Sequence, residues 1–234
     1  MEKLKELNIF HRLYIKLLRQ ILFLIESFLR NISGSLGIRL RRAYYSKRFA
    51  KCGKNLRIDE GVIIENPEYI YVGDNVWIDK YCILIAGKVN VPKNQIKVKK
   101  NKKYLYNEGE LHIGDNVHIA PQCIIQAHGG VSIGKNSGFS SGVKIYSLTN
   151  LPNKTTEDIV HFTPLGNPYY LLSQIVIEEN VGIALNSVIL TGITIEKNCF
   201  IAPNSVVITN IKENSFASGN PAKKIKDRFQ NYKG

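Results

Sequence analysis

An aliphatic residue every six positions is the feature that most limits what this chain can fold into. From Ile177 the series runs Ile177, Ile183, Ile189, Ile195, Ile201, Val207. Upstream it runs Ile113, Ile119, Ile125, Val131, then restarts as Ile133, Phe139, Ile145 after a two-residue slip at Gly129-Gly130. Val72, Ile78 and Leu84 extend it further. A helix needs a period near 3.6 and a simple strand a period of 2, so neither alone explains six. Short strands joined by bends do, each strand delivering one large aliphatic side chain inward. Three residues after the aliphatic position stand Asn75, Asn116, Asn136, Asn180, Asn186, Asn198 and Asn204. Asparagine tolerates the left-handed backbone that a tight bend requires. One residue further come small or β-branched side chains, among them Cys82, Cys123 and Cys199. These cysteines read as inward fillers, because a free thiol packs like a small hydrophobe.

The chain has 234 residues, room for one sizeable core or a small domain with an extension. Its four cysteines form no CxxC pair, which excludes zinc-ribbon and thioredoxin-like folds. No cleavable signal peptide is apparent, and the chain reads as intracellular with reduced thiols. A net charge of +13 asks for an anionic partner. Residues 1–50 read as a helical extension, rich in Leu, Ile and Phe from Leu13 to Leu29. Lys16, Arg19 and Glu26 count against a membrane span, since each charge at mid-membrane costs about 2.5–3.5 kcal/mol. A helix lying on an anionic membrane surface fits better, with "GIRLRRAYYSKR" at 37–48 adding basic side chains. The expected location is cytoplasmic, peripheral to the inner face of the membrane. Packing against the chain's own coil or a neighbouring subunit is the alternative. A lysine-rich insertion at 92–109 and an irregular loop at 148–174 interrupt the period. No helix-turn-helix, zinc finger or stacking platform is recognisable, so nucleic acid is not an expected partner.

The segments "VGDNVWI", "IGDNVHI" and "IAPNSVV" resemble the repeat of the hexapeptide-repeat acyltransferases, over roughly residues 53–229. The resemblance implies an all-β, left-handed parallel β-helix at 51–217, three hexapeptides to a coil, followed by a tail at 218–234. The hand comes from the resemblance and not from the period. "SGNPAKKIKDRF" at 218–229 matches the family's ending, which implies that Lys223 and Lys226 contact coenzyme A phosphates. Ala184 and Ala202 match the small positions along which the pantetheine arm runs. Thr209 stands where the family has a lysine, weakening one phosphate contact.

From Ile145 the chain resembles the maltose, galactoside and polysaccharide O-acetyltransferase branch. There a Thr-His-Pro or Thr-His-His segment supplies the general base. Here the segment reads Ser147-Leu148-Thr149-Asn150-Leu151, and Asn150 cannot take up a proton near neutral pH. A positioned base is worth roughly 10²–10⁴ in rate, so a replacement is expected. His128, in "QAHGG" at a coil corner, should stack near Leu148 and Thr149 and is the first candidate. His161 in the irregular loop is the second, and Asn150 or Ser147 would position the acceptor. His112 and His118 lie one hexapeptide apart and read as surface residues. Together with His128 they lack a convincing spacing for the zinc site of γ-type carbonic anhydrases, so no metal is expected. The resemblance also implies a homotrimer with active sites between protomers.

These readings converge on an acetyl-CoA-dependent O-acetyltransferase. Its acceptor would be a saccharide hydroxyl on a cell-surface glycan or on that glycan's lipid-linked precursor. An amino-sugar N-acetyltransferase is the first rival, because an amine needs less help from a base. A scaffold that kept the coil and lost the chemistry is the second.

Overall fold

The computed structural model describes residues 9–151 and 169–229. The six-residue period becomes a three-sided coil walled by three sheets of stacked parallel strands. The first face holds Lys51–Cys52, Ile70–Val72, Leu111–Ile113, Val131–Ile133, Ile175–Ile177 and Thr194–Ile195. The second starts at Arg57–Ile58 and runs through Trp77–Ile78, His118–Ile119, Gly138–Phe139, Gly182–Ile183 and Phe200–Ile201. The third runs from Ile63–Glu65 through Ile83–Ile85, Ile124–Gln126, Lys144–Tyr146 and Val188–Ile189 to Val206–Val207. Ile58, Ile78, Ile119, Phe139, Ile183 and Ile201 stack in register down the interior and are all buried. Each such side chain contributes about 1.5–3 kcal/mol by leaving water.

The bends follow the expected chemistry. All seven of the asparagines identified by spacing have φ between 55° and 62°. At the corner between the first and second faces their side-chain amides also join coil to coil. Asn55 donates to Asn75, Asn75 to Asn116 and Asn116 to Asn136, at 2.9, 3.0 and 2.9 Å. Cys82, Cys123 and Cys199 are buried fillers, and burial raises the Cys199 thiol pKa. The slip at Gly129-Gly130 belongs to a repeated geometry. The corner from third to first face is two residues wider in the early coils, so Ile64 is followed by Val72 and Ile125 by Ile133, whereas Ile189 is followed directly by Ile195.

The third face is apolar outside as well as inside. Its outward row runs Ile63, Ile83, Ile124, Lys144, Val188, Val206, with Ile85, Leu190 and Ile208 beside it. Apart from exposed Ile208, these residues are only half-buried.

Two helices, Ile9–Asn31 and Gly34–Tyr45, precede the coil. Arg41 fastens them to it. Its guanidinium is buried, with Nε donating to the Ile58 carbonyl at 3.0 Å and Nη1 to the Leu29 and Ile32 carbonyls at 2.8 and 2.7 Å. The last carbonyls of a helix lack intrahelical donors, and Arg41 supplies them. The outer side of the first helix stays apolar and exposed, with Leu17, Leu24 and Phe28 at 60%, 69% and 71%. Among the described residues no helix is long and apolar enough to cross a membrane.

The interruptions of the period are more ordered than expected. Ile96–Lys99 of the lysine-rich insertion pairs in parallel with Tyr169–Ser173, which pairs antiparallel with Leu148–Leu151. Two segments far apart in sequence thus share one small sheet beside the coil. The C-terminal basic segment is a hairpin strand, Ala222–Asp227, antiparallel to Ser215–Gly219 and extending the second face.

Candidate active site

Both insertions leave the coil at the corner between the third and first faces, and His128 sits on that corner. Its half-buried ring directs Nδ1 at the Gly87 carbonyl, 2.8 Å away. A carbonyl can only accept, so Nδ1 carries a proton, and in the neutral ring the lone pair is on Nε2. This is the tautomer a general base needs, fixed by a backbone group. Gly129 and Gly130 let neighbouring chain approach the corner. A side chain at Gly129 would lie 2.7 Å from the Ser147 and Ser173 carbonyl oxygens, and one at Gly130 2.6 Å from the Tyr104 ring. Tyr104 thereby seats the lysine-rich insertion on the corner, its hydroxyl donating to the Glu110 and Asn107 carbonyls at 2.9 and 3.1 Å.

Ser147 is not available to a substrate. It is fully buried, donates to the Gln126 carbonyl at 2.7 Å and accepts from the Gly129 amide at 2.8 Å, closing the corner. Asn150 lies one strand-length outward, exposed and opposite Tyr170 in the small sheet. His161 lies outside the described residues. Gln126, which no spacing rule singled out, is on the third face two residues before His128, and its buried Oε1 has no hydrogen-bond partner.

The residues that the resemblance matches to a donor site begin at the other edge of the third face. Residues following the inward aliphatic position of the second face stack as Ala120, Ser140, Ala184, Ala202 and Ser218. This column of small side chains runs towards the C-terminal hairpin. Ala184 and Ala202 lie within it, with backbone amides already bonded to the next coil at 2.9 and 2.8 Å. Lys223 is exposed on the hairpin, and Lys226 lies 5.5 Å over the Phe216 ring. Thr209 is exposed on the opposite corner, the one that carries His128. The structure therefore joins Ala184 and Ala202 in one column but separates them from Thr209 and His128.

The other coil histidines lie on outward rows of their faces, as expected of surface residues, but each is stacked on an aromatic ring. His112 is sandwiched between the Tyr71 and Tyr106 rings, centroids 4.2 and 3.5 Å away, and its Nε2 lies 2.8 Å from Glu110 Oε2. Burial lowers the His112 pKa below 6.5, while Glu110 works against that shift. His118 stacks on Trp77 at 4.4 Å with Asp79 3.5 Å from its Nε2. Period alone could not reveal these contacts, because Tyr106 comes from the insertion. Among the described residues no three His, Cys, Asp or Glu side chains cluster as a metal site would require.

No family model matches the chain. The dTDP-4-amino-4,6-dideoxy-D-glucose acyltransferase of Escherichia coli is 30% identical over 99 residues, 42% of this chain. The match spans only 41% of that relative's length. Solved structures align over more of the chain. AntD, an N-acyltransferase from Bacillus cereus in complex with dTDP and 3-hydroxybutyryl-CoA, has a TM-score of 0.63 at 21% identity, covering 80% of this chain and 87% of its own. A hexapeptide-repeat acetyltransferase from Vibrio cholerae complexed with acetyl-CoA has 0.55 at 18%, covering 92% and 88%. A maltose O-acetyltransferase from Clostridium difficile has 0.52 at 20%, covering 89% and 85%. The fold is that of the hexapeptide-repeat acyltransferases. The coil is thus a left-handed parallel β-helix, as its repeat segments implied.

Proposed function

We propose that the protein is a coenzyme A-dependent acyltransferase that modifies a sugar amine, with acetyl-CoA as the first donor to test. The observation that carries this reading is the placement of two chemistries on the two edges of one apolar face. His128, with Nδ1 held by the Gly87 carbonyl, lies on one edge. The small-residue column through Ala184 and Ala202 lies on the other. A threefold assembly that buries the third face would set the His128 edge of one protomer against the column of the next. Burying Ile83, Ile124, Val188 and Val206 would drive it.

In such a site the acyl thioester lies along the column, with Lys223 and Lys226 near the phosphates. The acceptor nitrogen attacks the acyl carbon. The C–N bond forms, the C–S bond breaks, and His128 Nε2 carries the proton from nitrogen to the departing thiolate. Amine acceptors are favoured because Asn150, in the position where a base is expected, cannot accept a proton. The amino-sugar acyltransferase of Escherichia coli supports the same choice. Transfer to a sugar hydroxyl, on a glycan or its lipid-linked precursor, is the second reading, favoured by the fixed tautomer of His128.

The exposed apolar side of helix Ile9–Asn31 would rest on an anionic membrane, with the chain's net charge of +13 assisting. The decisive test of function is calorimetric titration with acetyl-CoA, wild type beside Lys223→Ala/Lys226→Ala, followed by amine and hydroxyl acceptors assayed together. Saturable binding weakened by the double change, with turnover on the amine, is expected. Absence of donor binding by folded protein would refute the reading.

A further inference from the structure

A groove of about 620 Å³ lies on the first face, beneath the lysine-rich insertion and away from the third face. Its volume falls in the range of small-molecule sites, about 300–1,000 Å³. Its floor is the outward ladder Tyr71, His112, Ser132, Val176. The Tyr71 and His112 rings lie nearly parallel, 8° apart with centroids at 4.2 Å. The next rung, Ser132, carries no ring. Tyr106 descends from the insertion to supply one, 11° from parallel with His112 and 3.5 Å away. A ring has two faces, and Tyr71 covers one face of His112, so Tyr106 covers the other. The stack of three therefore ends at Tyr106, which is 49% exposed and still lines the groove.

The stack is held from below. His112 Nε2 lies 2.8 Å from Glu110, which also accepts from the Asn107 side chain at 2.8 Å. Both groups that fix the imidazole edge are thus internal to the protein, and the rings are pre-set before any ligand arrives. Lys51, Lys103 and Lys135 stand around the rim with Asp115 and Glu178. Lys103 is paired with Glu178 and Glu196, and Lys135 lies 3.5 Å from Glu179. Lys51 has no ion pair among the described residues.

We infer that this groove holds the base of a nucleotide-linked acceptor, its flat ring stacked on Tyr106 as the fourth member of the row. This rests on the acyltransferase reading, and it adds a place and a chemical class for the part of the acceptor that does not react. A pre-ordered parallel stack favours a planar ring over a puckered one, and Lys51, which has no ion pair among the described residues, suits the attached phosphates. The groove is lined toward the corner between the first and second faces by Gly73, Gly114 and Gly134, and the corner that carries His128, where Tyr104 packs on Gly130, lies across the width of the first face. An acceptor anchored here by its base would have to lay its phosphates and sugar across the first face to reach that corner.

Full-length protein titrated with dTDP tests this, with inorganic pyrophosphate as the probe without a base and acetyl-CoA in parallel. Stacking is worth about 1–3 kcal/mol per base, so Tyr106→Ala should weaken dTDP roughly 5–150-fold. Tyr106→Phe should stay close to wild type, and pyrophosphate should bind more weakly than dTDP. Tyr106→Leu, which keeps an apolar cover over His112, should also lose affinity and guards against a collapsed roof in the alanine variant. Acetyl-CoA binding should be unchanged in all three. Equal dTDP affinity in wild type, Tyr106→Ala and Tyr106→Leu would overturn the inference. So would pyrophosphate binding as tightly as dTDP, or acetyl-CoA binding without any dTDP binding. Failure of wild type to bind acetyl-CoA would instead overturn the reading beneath it.

Discussion

Replacing Gly130 by alanine should destabilise the corner that carries His128, whereas the same change at Gly138 should not. Gly130 has φ of 106°, a conformation that L side chains rarely adopt, and its new Cβ would lie 2.6 Å from the Tyr104 ring. The strained backbone costs about 1–3 kcal/mol. Overpacking adds about 1–3 kcal/mol, because Tyr104 is buried and its hydroxyl is bonded to two carbonyls. A total of about 2–6 kcal/mol in a chain of this size lowers the melting temperature by roughly 4–24 °C. At Gly138 a Cβ meets nothing within 4 Å, and alanine there should be neutral or stabilise by about 0.4–1 kcal/mol. Thermal unfolding followed by circular dichroism, at one protein concentration, compares the two. A second measurement separates clash from strain. In Gly130→Ala/Tyr104→Ala the clash term vanishes, so the double variant should cost less than the sum of its parts. Melting of Gly130→Ala together with Gly138→Ala would refute the claim that Tyr104 seats the insertion on this glycine.

His128→Gln should lower kcat for the acceptor by up to about 10²-fold with donor affinity intact, and unchanged turnover would remove His128 as the base. Arg41→Met leaves the Ile58, Leu29 and Ile32 carbonyls without their donor and should cost about 3–5 kcal/mol, read from urea unfolding. Burial keeps the His112 pKa below its unfolded value of 6.5. The unfolded chain therefore binds the extra proton first as pH falls, so this contribution is full above pH 6.5 and lost below it. His112→Gln should flatten the loss of melting temperature on acidification through that window, and an unchanged slope would contradict it. Co-sedimentation with anionic vesicles should fall when residues 1–36 are removed, and equal binding by both chains would exclude the helix as anchor.

Much of the coil was legible because its interior repeats. A period of six names each inward aliphatic residue, and asparagine three positions later names the bends, whose backbone angle only a few residue types accept. The same rule missed Tyr81 and Gln122, which take left-handed backbone without being asparagine. The site was less legible. Its geometry comes from segments with no period, so the pairing of Ile96–Lys99 with Tyr169–Ser173 left no trace in spacing. The corner that carries His128 was visible through its two glycines. The burial of His112 was not, because its roof arrives from an insertion that sequence alone gives no fixed place. Ser147 was misread because the need for a donor at Gln126 and an acceptor at Gly129 appears only once the corner is closed.

The small sheet that joins the two insertions has a consequence for how the protein can change. Residues 96–99 and 169–173 share backbone hydrogen bonds, and 148–151 depends on the second of them. Adding or deleting a single residue within one of these strands shifts its alternation of side chains against its neighbours. The two loops therefore behave as one inherited unit. A chimera meant to exchange these insertions between chains of this fold would have to move 92–109 and 148–174 together, whereas the coil beneath them could remain in place.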